Sequence, residues 1–159
     1  MMRLNAKQTK NMYAILYEQY AYEQRLSGSL YINKEQKIFL FVDQPIDFES
    51  LRVNSFGLYI GEYNDDHTQM RLSIEGSQLI GPHAQTNCLV LDDEYFTKWI
   101  CGQDIQIDES LEQQVHQMQG YIIICNKKND FCGCARLKNG MLLNFVPKIR
   151  RLKTVVESA

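Results

Sequence analysis

Hydrophobic positions recur along the chain in two rhythms, and the changes between them mark out the elements. From Leu4 to about Leu26, the residues Met12, Ile15, Leu16 and Tyr20 keep the i, i+3, i+4, i+8 spacing of one helical face. Asn5 stands where an N-cap belongs, and Ser27-Gly28-Ser29 supplies a stop. Four tyrosines (Tyr13, Tyr17, Tyr20 and Tyr22) crowd this helix. They suit an amphipathic rim with hydroxyls at the surface, the alternative being a stacking platform for bases. Lys37–Val42 is a short continuous apolar run followed by Pro45, the pattern of a buried strand. Leu51–Val53 is expected in a short helix after Asp47. Phe56–Tyr63 and Gln69–Ile74 then flank Asn64-Asp65-Asp66-His67, which is turn chemistry between the arms of a hairpin. Glu75 to Pro82 carries glycines and a proline, so a helical turn ends this first unit, with a boundary near Pro82–Gln85.

A second unit opens with the apolar run Cys88–Leu91. Asp92 can cap a helix reaching Cys101, with Asp93 and Glu94 at its positive end, Phe96, Trp99 and Ile100 on its buried side and Gly102 after its last turn. Ile105–Ile107 predicts a short strand, and the glutamine-rich Asp108–Gln119 a loop or an exposed helical piece. Gly120–Cys125 is a strand, Lys127–Asp130 a turn, and Phe131–Leu137 the next strand. Asn139-Gly140 is a strong hairpin signal, because a type I′ turn needs positive φ at both positions. Met141–Val146 pairs back, Pro147 breaks the strand, and Arg151–Val156 is expected to close the sheet. Short strands at close spacing point to a small barrel.

Composition narrows the class. The chain has 159 residues, of which 45% are hydrophobic and 23% charged, ordinary values for one or two small globular domains. Its apolar runs are far too short to span a membrane, and the N-terminus lacks the apolar core of a secretion signal. A cytoplasmic protein is expected. Five cysteines, an odd number, read as free thiols. The net charge of −2 conceals an asymmetry: Met1–Gln119 holds 9 Lys/Arg against 17 Asp/Glu, whereas Gly120–Ala159 holds 8 against 2. Such an asymmetry fits a surface for a polyanion, unless the acidic stretch Asp92–Glu112 folds back and neutralises the basic tail.

Catalytic signatures are missing from the sequence. His67, His83 and His116 stand apart from any nucleophile motif, and the glycine-rich phosphate-binding patterns do not occur. Cys125 and Cys132-Gly133-Cys134 lack the loop spacing of a zinc site and read as core packing. The expectation is no enzyme, no metal and no cofactor. Basic residues of the tail remain. Arg136 and Lys138 lie two apart on one strand face, followed by Asn144, Lys148, Arg150, Arg151 and Lys153. Lys and Arg neutralise phosphates, and an asparagine reads a base edge or a 2′-hydroxyl.

The segments Leu91-Asp92-Asp93-Glu94 and Trp99–Ile105 resemble the opening of a PUA domain, an RNA-binding module, and Gly120–Ile123 with Phe131–Gly140 resembles its later strands. Gly133 and Gly140–Arg151, with Leu142-Leu143-Asn144 and Pro147-Lys148, are similar to the C-terminal PUA-like domain of RsmF/Sun-type RNA cytosine-5 methyltransferases. Gly57–Gly61 and Arg71–Gly81 look like the pre-PUA half of small stand-alone, mainly archaeal proteins of ribosome biogenesis. The likeness covers about residues 50–153. It implies an α+β chain: an N-terminal α/β pre-PUA domain over 1–84 and a small mixed β-barrel, PUA-like and RNA-binding, over 85–159. The methyltransferase's catalytic domain has no counterpart here, and Cys134 and Ala135 stand where the family often has glycine. The resemblance implies a non-catalytic RNA-binding accessory protein in rRNA or tRNA maturation, modification or ribosome biogenesis. The alternative is an adaptor that docks an RNA methyltransferase or assembly factor. On this reading the turn Gly102-Gln103-Asp104 and the basic strand Lys148–Lys153 meet RNA, supported by Arg136, Lys138 and Asn144.

Overall fold

The computed structural model describes residues 1–42 and 53–153. Two five-stranded sheets follow one another along the chain. The first joins β1 (Met2–Arg3), β2 (Ser29–Ile32), β3 (Lys37–Phe41), β4 (Leu58–Tyr63) and β5 (Met70–Leu72) in sequence order, with every neighbouring pair antiparallel. It carries helices α1 (Ala6–Tyr20) and α2 (Ile74–Ile80). The second contains β6 (Cys88–Leu91), β7 (Ile105–Gln106), β8 (Tyr121–Asn126), β9 (Phe131–Lys138) and β10 (Met141–Asn144), in the order β6-β8-β9-β10-β7. Only β6 and β8 run parallel in this sheet, which curls as half a barrel beside α3 (Asp93–Ile100) and α4 (Glu109–Val115). The class is α+β, as expected.

Local chemistry explains most boundaries. Asn5 accepts the Gln8 N–H at 2.9 Å while the Gln8 side chain accepts the Asn5 N–H, a reciprocal cap that starts α1. Asp92 and Asp108 cap α3 and α4 from one side only, each accepting the N–H three residues on. Asn139 (φ 51°) and Gly140 (φ 73°) both turn left-handed between β9 and β10, as a type I′ hairpin requires.

Four expectations need correction. Helix α1 ends at Tyr20, six residues short of Leu26, because its last carbonyls are taken from outside. Gln85 N–H donates to Tyr20 O at 2.8 Å and Asn87 Nδ2 to Gln19 O at 2.7 Å, while Ala21 turns left-handed at φ 50°. Three of the four tyrosines form core, not rim: Tyr13, Tyr20 and Tyr22 are buried, and only Tyr17 is exposed. Residues 109–115 form helix α4, one of the two expected forms, but it is not an exposed piece, because Leu111 and Val115, four apart, both reach the core. The segment Lys148–Lys153 is not a strand. Lys148–Arg150 is a 3-10 turn behind Pro147, and Arg151–Lys153 pairs with no strand, since β7 already occupies the free edge of β10. Leu51 and Arg52 of the expected helix and the end of the expected strand Arg151–Val156 lie outside the described residues, and Val53 is in neither helix nor strand.

The core is continuous across the two sheets. Strand β8 is buried on both faces, which is why its sequence is a plain apolar run. Ile122 and Ile124 pack with Trp99, Leu111 and Leu142 inside the curl. Tyr121 and Ile123, with Cys134 of β9, pack outward into the cluster built from Met12, Leu16, Tyr20, Ile60 and Leu72 of the first half. Helix α2 lies between, with its Ser77 hydroxyl accepting the Gly133 N–H at 2.8 Å.

Candidate nucleic-acid interface

The end of α3, the end of β10 and the tail form one knot. Gly102 leaves α3 at φ +89°, and a Cβ there would collide with the Arg151 side chain lying across it. The next residues are held by Asn144. Its Nδ2 donates to Trp99 O at 2.7 Å and to Gln103 O at 3.1 Å, and its Oδ1 accepts the Val146 N–H at 2.8 Å. Asn144 also donates its own N–H to Asp104 Oδ1 at 2.8 Å. Arg151 Nε donates to Val146 O at 2.9 Å, and Leu152 N–H to Ile100 O at 2.9 Å. Thus five of the ten expected site residues (Gly102, Gln103, Asp104, Asn144 and Arg151) meet in one place, where Asn144 and Arg151 serve as braces.

The remaining cations differ in freedom. Arg150 Nη1 lies 2.5 Å from Glu75 Oε1 of α2, so its charge is partnered. Arg136 donates to Tyr121 Oη at 3.1 Å and stacks on that ring, with 5.2 Å to the centroid, on the sheet face turned toward the first half. Lys138, Lys148 and Lys153 are exposed and make no ion pair among the described residues. The acidic stretch Asp92–Glu112 does not neutralise the tail: its one ion pair among those residues joins Glu94 to Lys98 of the same helix. Ile149 and Leu152 are 94% and 60% exposed between the cations.

Two clefts border this knot. One, of about 400 Å³, is lined by Tyr95, Lys98, Gln103, Asp104 and Asp108. Here the Tyr95 hydroxyl donates to Asp108, which also accepts from Ser110 Oγ and Leu111 N–H. These bonds, the Tyr95 one foremost, pull the Asp108 carboxyl down to about 2, and the same bond pushes Tyr95 up to about 12. The other cleft, of about 120 Å³, opens between the halves, with Tyr59, Arg71, Phe145 and Arg150 on its walls. The Arg71 guanidinium sits 4.5 Å from the Phe145 ring centroid and pairs with Glu62. Sequence reasoning missed Arg71 because nothing local links it to Phe145. It also passed over the exposed pair Lys127-Lys128, whose adjacency was visible.

Residues 86–152 match the family model of the methyltransferase RsmF PUA domain. The matched span runs from the residue pair before β6 to the tail segment folded onto α3, and it contains every expected site residue except Lys153. PUA domains in general bind RNA. No curated protein matches the chain. No helix among the described residues is long and apolar enough to cross a membrane.

Proposed function

We propose that the protein is a non-catalytic RNA-binding accessory factor, acting in the cytoplasm on ribosomal or transfer RNA during its maturation or modification. The observation that carries this reading is the set of exposed lysines without an ion pair among the described residues, Lys138 and Lys148 inside the span that matches a PUA model and Lys153 directly after it. Phosphate neutralisation by such residues supplies most of the affinity and makes it salt-dependent. Arg150 and Arg151 contribute less to the contact, because one is held by Glu75 and the other is folded over Gly102. The test is therefore the double variant Lys148→Glu/Lys153→Glu. We expect RNA affinity to fall by at least tenfold at low salt, and the slope of log affinity against log salt to flatten by about 1.4, two contacts at about 0.7 each. Wild-type affinity in that variant would remove the tail from the interface.

A second reading rests on Ile149 and Leu152. Two large apolar side chains exposed in one short segment suit a protein partner, such as an RNA-modifying enzyme or assembly factor. Co-purification separates the readings: bound RNA supports the first, a stoichiometric protein lost on Ile149→Ser/Leu152→Ser supports the second.

A further inference from the structure

On the far side of the second sheet from the knot, a groove of about 620 Å³ runs between α2 with its following 3-10 turn and the outer faces of β6 and β8. Its size falls in the range of small-molecule sites. The floor is apolar: Val90, 42% exposed on β6, Cys125 and Phe131. The neighbouring Cys125 thiol together with burial holds the Cys88 thiol well above the usual thiol range, so the floor carries no charge from it. The rim is polar, with Gln78 on one side and Asn129 and Asp130 on the other.

The rim on the β8–β9 side is built before any ligand arrives. Asn126 Oδ1 accepts the N–H groups of Lys128 and Asp130, each at 2.9 Å, and Asn126 Nδ2 donates to Asp130 Oδ2 at 2.8 Å. This closed turn fixes Asn129 and Asp130 at the groove and leaves Lys127 and Lys128 exposed in the same four-residue loop. A pre-ordered rim lowers the entropic cost of binding. Apolar floor, amide and carboxylate edge, and two adjacent cations make a combination that suits one chemical object: an unstacked base whose flanking phosphates are anionic.

Resting on the RNA-binding reading above, we infer that this groove holds a single unpaired nucleobase of a single-stranded RNA segment. Val90 and Phe131 contact the base, Asn129 and Asp130 offer hydrogen bonds to its edge, and Lys127 and Lys128 neutralise the adjoining phosphates. The groove is therefore a second contact, separate from Lys148 and Lys153, and it makes the protein prefer single strands over duplex.

The probes are a short single-stranded RNA of mixed sequence and the duplex of the same sequence. Val90→Gln puts a neutral polar side chain on the apolar floor, from an exposed position on an edge strand. We expect it to lower single-strand affinity about tenfold, the worth of one stacked base, and to leave duplex affinity as in the wild type. Lys127→Ala/Lys128→Ala, on an exposed turn that does not depend on those side chains, is expected to flatten the single-strand salt slope by about 1.4. That second variant decides the matter if Val90→Gln melts early. Single-strand affinity and salt slope unchanged in the folded variants would overturn the groove, while weakened binding in Lys148→Glu/Lys153→Glu would leave the RNA reading standing. A wild-type protein that binds neither probe would overturn both.

Discussion

Asn144 shows how a residue chosen correctly from sequence acquires a different task in three dimensions. Its type and its place before Pro147 and Lys148 mark it as special, and an amide that reads a base is a fair expectation. In the fold both amide hydrogens and the carbonyl are engaged by the backbone of residues 99, 103 and 146. Replacing Asn144 with Ala strips partners from two carbonyls and one N–H in a half-buried setting. At about 1 kcal/mol for each lost hydrogen bond, we expect destabilisation of about 2–3 kcal/mol in urea unfolding. A variant as stable as the wild type but deficient in RNA binding would return Asn144 to the role of reader. Gly102 was legible for a different reason. A glycine after a helix reads as a left-handed exit, and that is what φ +89° shows. That Arg151 would lie on it was not legible, because the two are brought together only by the chain's return from β10.

Elements whose ends are set by neighbouring residues were readable to within a residue or two. Strand β6, helix α3 with its Asp92 cap, and the β9–β10 hairpin fall where the pattern puts them. Helix α1 was overextended because its end is capped by Gln85, Thr86 and Asn87, which sequence cannot place beside Tyr20. Strand β2 escaped notice because Ser29–Ile32 follows a glycine-serine stretch that reads as a stop. For α4 the cap depends on pH. Asp108 titrates near 2 in the folded protein against 3.8 when free, so its ionised form favours the folded state above pH 4, and that contribution fades as the pH falls from about 4 to about 2. We expect the stability difference between the wild type and Asp108→Ala to be full at pH 6 and to disappear near pH 2. A difference that persists undiminished at pH 2 would show that the carboxylate is not the source.

At the scale of the whole molecule the two sheets share apolar ground. Tyr121, Ile123 and Cys134 of the second half are buried against Tyr20, Ile60 and Leu72 of the first half, and Arg150 reaches across to Glu75. A chain cut to residues 86–152 would expose that face, including Ile123, which is 0% exposed in the full protein. We therefore expect the full chain to unfold in a single transition by calorimetry, with matching calorimetric and van't Hoff enthalpies, and the cut chain to be unstable or to associate. Two resolved transitions in the full chain would contradict a shared core. The charge asymmetry, the α+β class and the likeness to a PUA module were all in the sequence, because each is a property of residue order, local spacing or composition. Which cations stand free was decided by the tertiary structure alone. Arg150 and Lys148 look equivalent in a string of letters, yet packing puts Glu75 beside one and, among the described residues, no carboxylate in ion-pair reach of the other, and no local rule carries that distance.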